Sequence, residues 1–313
     1  GYIGTKLTND LLRKNFKITV YDTQWFGNYL KPHKNLKVIR GDIRSINDKI
    51  FKEKNTVIHL ANIANDPSVD LNPVLSWDVN VLSLFDILNK CKENKIKHFL
   101  YSSSGSVYGV KKEKKVTEDL SLEPLTDYSK YKAMCEDILL NESGNNFCTT
   151  ILRPATVCGY SQRTRLDVIV NILTNHAYNK RKIIINGGNQ KRPNIHIQDM
   201  VNAYLEILNQ QNEFVNDEIF NIGFENYTLD EIGELVKEKI GDDIVIDHQE
   251  TNDNRSYHIS SNKIRKQLGF LPQFSIEKAI EDLRQAFEKK LLYNSFDDPK
   301  YFNIKMMQEI NLQ

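Results

Sequence analysis

From Thr5 onward the apolar positions alternate between a helical spacing and short unbroken runs. Leu7, Leu11 and Leu12 share one face of a helix expected over Thr5 to Asn15, and Lys17 to Tyr21 is a β-rich run closed by Asp22. Leu36 to Ile39, Thr56 to Leu60, His98 to Ser102 and Thr149 to Leu152 are compact apolar runs, the pattern of strands buried on both faces of a parallel sheet. Helical patterns lie between them, at Val74 to Glu93 and Tyr128 to Asn141. This alternation predicts a doubly wound α/β sheet over residues 1–158.

Beyond Gly159 the rhythm loosens into a helix near Leu166 to Asn179, a strand at Lys182 to Ile185 and a helix from Thr228 to Ile240. Helices at Ser261 to Leu268 and Ser275 to Leu292 close a smaller C-terminal α/β lobe expected over 159–292. Asp199 to Leu208 and Glu218 to Gly223 are candidates to return to the first domain, and 293–313 reads as a polar tail. The chain opens on Gly1-Tyr2-Ile3-Gly4 with no strand ahead of the glycines, so it reads as lacking its first ~10 residues, including the first strand.

Composition narrows the function classes. With 42 basic and 41 acidic residues the net charge is +1, which leaves no chain-wide footprint for nucleic acid or an anionic membrane. No apolar stretch approaches the ~20 residues that span a bilayer. Cys91, Cys135, Cys148 and Cys158 show neither CxxC spacing nor the density of a disulfide scaffold, so a cytoplasmic location is expected. The seven histidines are scattered and no metal site is legible.

Gly1-x-x-Gly4 stands immediately before an amphipathic helix, where backbone N–H groups and the helix dipole meet a pyrophosphate. Gly1, Tyr2, Ile3 and Gly4 are therefore candidate cofactor residues of a Rossmann-type fold. Asp22 closes the next strand about twenty residues on, where a carboxylate accepts both ribose hydroxyls. No Lys or Arg directly follows it, so a 2′-phosphate would face that carboxylate unopposed and NAD is favoured over NADP.

The sharpest pattern is Tyr128-Ser-Lys-Tyr-Lys132, which sets Tyr128 and Lys132 four apart on one helical face, downstream of a strand-end serine cluster, Ser102 to Ser106. Oxidising a sugar alcohol requires a base beside the cofactor. A free tyrosine titrates near ~10, and an ammonium four residues away together with a positive nicotinamide ring favours the phenolate. Lys132 can also bind the nicotinamide ribose, and Ser104 is the serine best placed to hydrogen-bond the reacting oxygen. The neighbouring serines can equally serve as strand-end caps.

Taken in order, these motifs with Gly41 to Arg44, Leu60 to Asn62 and Leu152-Arg-Pro-Ala155 resemble extended short-chain dehydrogenases/reductases, particularly relatives of UDP-glucose/UDP-galactose 4-epimerase, over residues 1 to about 272. The resemblance implies an adenine turn at Asp42 and Ile43 and a segment beneath the cofactor at Leu60, Ala61 and Asn62, where His59 reads as a packed core histidine. It implies a cofactor role for Ser102, a structural asparagine at Asn80, and a nicotinamide cover at Pro154 and Ala155. It assigns substrate contacts to Ser104, Ser106 and Thr156. Two arginines would bind the nucleotide diphosphate, Arg192 of Arg192-x-x-x-His196 and Arg255 of Asp253-Asn-Arg255, with His196 supporting the fold.

Departures sharpen this expectation. The acidic pair that follows the catalytic Ser/Thr in dehydratases is here Gly105 and Ser106, the glutamate of decarboxylating relatives and the cysteine of C3/C5 epimerases are likewise replaced by Ser106, and Thr156 replaces a common asparagine. The expected activity is NAD-dependent C4 epimerisation of a nucleoside-diphosphate sugar by a homodimer paired through Val74 to Glu93 and Tyr128 to Asn141. The alternatives are an NADH-dependent 4-ketosugar reductase and a non-catalytic NAD-binding protein.

Overall fold

The computed structural model describes residues 1–144, 146–251 and 258–312. Its first half runs α1 (Tyr2–Arg13), β1 (Ile18–Asp22), β2 (Leu36–Arg40), β3 (Thr56–His59), α2 (Asp66–Leu71), α3 (Pro73–Trp77), α4 (Ser83–Glu93), β4 (His98–Ser102), α5 (Asp127–Glu142) and β5 (Cys148–Pro154). The second half runs β6 (Thr156–Cys158), α6 (Ile169–Lys180), β7 (Lys182–Asn186), β8 (Lys191–His196), α7 (Ile197–Asn209), β9 (Glu218–Ile222), β10 (Glu225–Thr228), α8 (Leu229–Ile240), β11 (Val245–Gln249), α9 (Asn262–Leu268), α10 (Ile276–Glu288) and α11 (Asn303–Glu309).

Four parallel strands in the order β3-β4-β5-β9 form the central sheet, and β1-β2 form a separate parallel pair. The apolar runs explain the burial: Phe99, Leu100 and Tyr101 of β4 and Ile151 and Leu152 of β5 are at most 1% exposed, because helices cover both faces. Leu7, Leu11 and Leu12 of α1 pack in the same way, on the side of the sheet shared with α7. The fold is therefore the Rossmann-like α/β arrangement that the strand-helix alternation implies. β9 reaches the sheet from beyond β6, β7 and β8, pairing Thr150 to Pro154 with Glu218 to Ile222. The remaining strands form two further sheets, one with β8 between β6 and β10 and one with β7 beside β11.

The structure corrects several boundaries. The helix expected over Val74 to Glu93 is α3 and α4 joined through a π turn at Asp78–Leu82. Residues 293–313, expected as a polar tail, instead form a 3-10 turn at Pro299–Tyr301 followed by α11, because Tyr301 and Met307 are anchors that bury almost completely. No helix among the described residues is long and apolar enough to cross a membrane, and none of those residues form a His/Cys/Asp/Glu cluster able to hold a metal.

Candidate active site

A cavity of about 1050 Å³ opens at the C-terminal ends of the parallel strands. Asp22 of β1, His59 and Leu60 at the end of β3, Ser102 of β4 and Pro154 of β5 all line it, as do Thr156 of β6 and Arg192 of β8. This is the crevice in which open α/β sheets bind ligands. The cavity continues between β1 and β3, which among the described residues pair with β2 and β4 respectively and not with each other.

At one end α5 presents Tyr128 and Lys132. The helix starts there because Thr126 and Ser129 form a reciprocal capping box: the Ser129 N–H donates to Thr126 Oγ1 at 3.3 Å and the Thr126 N–H donates to Ser129 Oγ at 3.0 Å. Lys132 is 4% exposed, donates from Nζ to the Ser102 carbonyl at 2.6 Å, and lies 4.6 Å from the Tyr101 ring centroid and 6.0 Å from that of Tyr128. Burial lowers its pKa to about 8, against the opposing pull of Cys135 and Glu136. An ammonium so depressed is poised to share a proton at neutral pH. Ser104 caps the short turn Gly105–Tyr108, accepting from the Ser106 N–H at 3.2 Å with the two hydroxyls 2.9 Å apart.

Beneath these groups lies a buried ion pair. Arg153 and Glu136 are 3% and 1% exposed. Nη2 of Arg153 donates to Glu136 Oε2 at 2.6 Å and Nε donates to both carboxylate oxygens at 3.1 Å. Glu136 also accepts from Ser103 Oγ, while Nη1 of Arg153 donates to the Tyr108 hydroxyl at 2.7 Å. The pair thereby fixes α5, β5 and the serine turn in one frame.

At the other end, α1 begins at the Gly1 cap with no acidic residue in its first turn, and the Asp22 carboxylate lies 3.5 Å from the Gly1 nitrogen. Gly1, Tyr2, Ile3 and Gly4 line the cavity there. Asp22 borders the same region and accepts from the Gln24 N–H at 2.6 Å. Ile43, Leu60, Ala61, Asn62 and Ala155 complete this wall, and Asn80 clamps the loop after β3 by accepting from the Ile63 N–H at 2.8 Å and donating to its carbonyl at 3.0 Å. A helix N-terminus for a pyrophosphate, a strand-end carboxylate for a diol and a Tyr/Lys pair beyond them suit a nicotinamide dinucleotide lying along the cavity.

Two expected residues are not brought to this wall. Asp42 is not among the lining residues: Arg44, two positions on, satisfies its carboxylate at 2.6 Å and holds it below the usual carboxylate range. Arg255, with Asp253, lies outside the described residues. His59 is buried between Phe99 and Tyr101 with its pKa lowered to about 3, by burial and then by Lys132. His196 caps α7 and meets Asp282 at 3.2 Å. The sequence reading missed Phe26, Arg163, Arg165 and Asn303, all of which line the cavity. Residues 161–165 read as Ser-Gln-Arg-Thr-Arg, which alone is indistinguishable from a charged surface turn.

Fold and site together define a nicotinamide-dinucleotide-binding enzyme of the short-chain dehydrogenase/reductase type. Residues 1–223 match the NAD dependent epimerase/dehydratase family, and the chain belongs to it, with NAD as its cofactor. It is 28% identical over 90% of its length to a putative UDP-glucose 4-epimerase of Methanocaldococcus jannaschii, covering 93% of that protein. It is 26% identical to the UDP-glucose 4-epimerase of Lactobacillus helveticus, with 87% of this chain and 90% of that one aligned. Among solved structures it is similar to UDP-glucose 4-epimerase of Thermotoga maritima with UDP-glucose, at a TM-score of 0.83 and 23% identity over 93% of this chain and 97% of that one. An NAD-dependent NDP-hexosamine 5,6-dehydratase of tunicamycin biosynthesis has the same fold, with a TM-score of 0.83 at 19% identity over 92% of this chain and 95% of that one.

Proposed function

We propose that the protein reversibly inverts C4 of a nucleoside-diphosphate sugar through a 4-keto sugar, with Ser104, Tyr128 and Lys132 as its catalytic residues. One observation carries the reading: the Tyr128/Lys132 pair and Ser104 share one cavity with the α1 N-terminus, while Gly105 and Ser106 supply no acid for eliminating water. The 4-epimerase names of the relatives agree with it, and uridine diphosphate sugars are the first substrates to test.

Tyr128 removes the 4-OH proton, and Lys132, buried beside it, stabilises the phenolate. Ser104 holds the reacting oxygen in line, and the Ser106 hydroxyl orients Ser104. A bound NAD would supply a reversible hydride acceptor for C4. Arg192 grips the diphosphate through its planar fork while the keto sugar turns to present its other face. Asp22 binds the adenosine ribose. We also propose a homodimer formed through α3, the π turn after it, α4 and α5, which expose Val74, Leu82, Phe85, Met134 and Leu140 at 36% or more.

The test is a sugar nucleotide deuterated at C4. In the inverted product the label should remain at C4, without lasting reduced nicotinamide, and Tyr128→Phe should slow turnover by about 10²–10⁴-fold while keeping NAD bound. Turnover of a 4-keto sugar only with stoichiometric consumption of added NADH would replace this reading with a ketoreductase.

A further inference from the structure

Arg163 is the anomalous charge of the cavity. It is 3% exposed and, among the described residues, has no carboxylate partner: its Nη2 donates to the neutral amide oxygen of Asn303 at 2.9 Å, and its Nε is buried with no acceptor. The adjacent carboxylate, Asp167, is committed elsewhere, accepting from Arg165 Nε at 2.8 Å and from the Asn303 N–H at 2.9 Å. Burial, then the neighbouring Arg165 charge, lowers the Arg163 pKa to about 9. Asp167 offsets this only in part; a buried cation to which no carboxylate is bonded is costly, and a ligand anion is the direct remedy.

The surroundings indicate which anion. Ser161 Oγ donates to the Tyr2 carbonyl at 3.1 Å and the Tyr2 hydroxyl donates to the Gly159 carbonyl at 2.6 Å, so residues 159–165 are stitched to the first turn of α1. Gly159 makes that turn at φ +104°, where a side chain is strained and its Cβ would approach His196 at 3.0 Å. The Arg163 guanidinium lies 3.8 Å from the Phe26 ring centroid, four residues beyond Asp22. It therefore sits between the start of the phosphate-facing helix and the end of the ribose strand. Asn303 fixes it from the C-terminal helix and also donates to the Ala64 carbonyl at 3.2 Å, which links α11 to the segment beneath the cofactor.

We propose that Arg163 binds the pyrophosphate of the dinucleotide, completing the anion site begun by the α1 N-terminus, and that Asn303 is its positioning residue. The inference rests on NAD binding alone and is independent of C4 inversion. Its role is retention: a cofactor that stays bound through repeated turnovers gains an anchor from the second half of the chain.

Wild type, Arg163→Met, Arg163→Lys, Asn303→Ala and the Arg163→Met/Asn303→Ala double variant are titrated calorimetrically with NAD, with adenosine, which lacks phosphate, and with UDP. Each is also melted without ligand. Arg163→Met should weaken NAD by about 10–100-fold, the range of a charged hydrogen bond, leave adenosine and UDP within about twofold, and melt no lower than wild type, since an unpaired buried cation has been removed. Arg163→Lys, which keeps the charge and loses the fork, should fall between the two and decides the matter if the methionine variant does not fold. Asn303→Ala should weaken NAD but not adenosine, and should add nothing to Arg163→Met in the double variant. NAD affinity unchanged within threefold in Arg163→Met, an equal loss for adenosine, or a loss confined to UDP would each overturn the proposal, the last by assigning Arg163 to the substrate diphosphate.

Discussion

Glu136→Gln isolates the ion pair that holds the catalytic elements together. The substitution preserves shape but leaves the Arg153 guanidinium, 3% exposed, facing a neutral amide. Contacts of 2.6 and 3.1 Å correspond to a gross attraction of about 5 kcal/mol at an effective dielectric of ~20. Removing one partner of a buried pair costs about 3–5 kcal/mol net. Arg153 keeps the Tyr108 hydroxyl at 2.7 Å, so the lower end, about 3 kcal/mol, is expected. Urea unfolding followed by both circular dichroism and tryptophan fluorescence measures it, provided the two probes coincide. The double variant Glu136→Leu/Arg153→Met should lose less than Glu136→Gln, about 1–2 kcal/mol, because no charge is left buried: Ser103 Oγ loses its acceptor, and the Tyr108 hydroxyl loses a donor but still donates to Asn221 Oδ1 at 2.8 Å. A single variant within 1 kcal/mol of wild type, or a double variant worse than the single, would refute the reasoning.

Lys132 has a folded pKa of about 8, below its unfolded value, so the unfolded chain binds the extra proton between pH 8 and ~10.5 and stability should rise across that window. Lys132→Met should flatten the rise, read as urea midpoints across that window, while abolishing turnover. His59 and His98, lowered by burial to about 3 and about 4, contribute stability that is complete above pH ~6.5 and lost as pH falls toward those values. The urea midpoint should therefore drop between pH 6.5 and 4, and His59→Phe should reduce the drop; an unchanged acid limb counts against the burial argument. Phe85→Glu should convert the proposed homodimer to monomer in light scattering at micromolar concentration, whereas a wild-type monomer removes that proposal.

The strands at Thr56, His98 and Thr149 are readable because each is an unbroken apolar run, and the Tyr128/Lys132 pair because a helix converts a spacing of four into one face. Other elements leave weaker traces. β8 carries Lys191, Arg192 and Pro193; it tolerates the proline because pairing with β6 starts one residue later, at Asn194. β11 alternates poorly because among the described residues it pairs only with β7 and is half exposed. At Asp42 the turn pattern is read correctly, but Arg44, two residues on, claims the carboxylate. Arg163 could not be identified from its neighbours in sequence, since what buries it comes from Phe26 and Asn303, far away along the chain.

The order of strands also governs how the molecule is made. β9, the last strand of the central sheet, emerges only after β6, β7 and β8, which belong to other sheets, so a nascent chain released through residue 158 has an open edge along β5. Synthesis must reach residue 222 before that edge closes, and the Asn303 contact with Ala64, 239 positions apart, must wait longer still. Such long-range closures slow folding and lengthen the interval in which strand edges are exposed to aggregation and to holding chaperones.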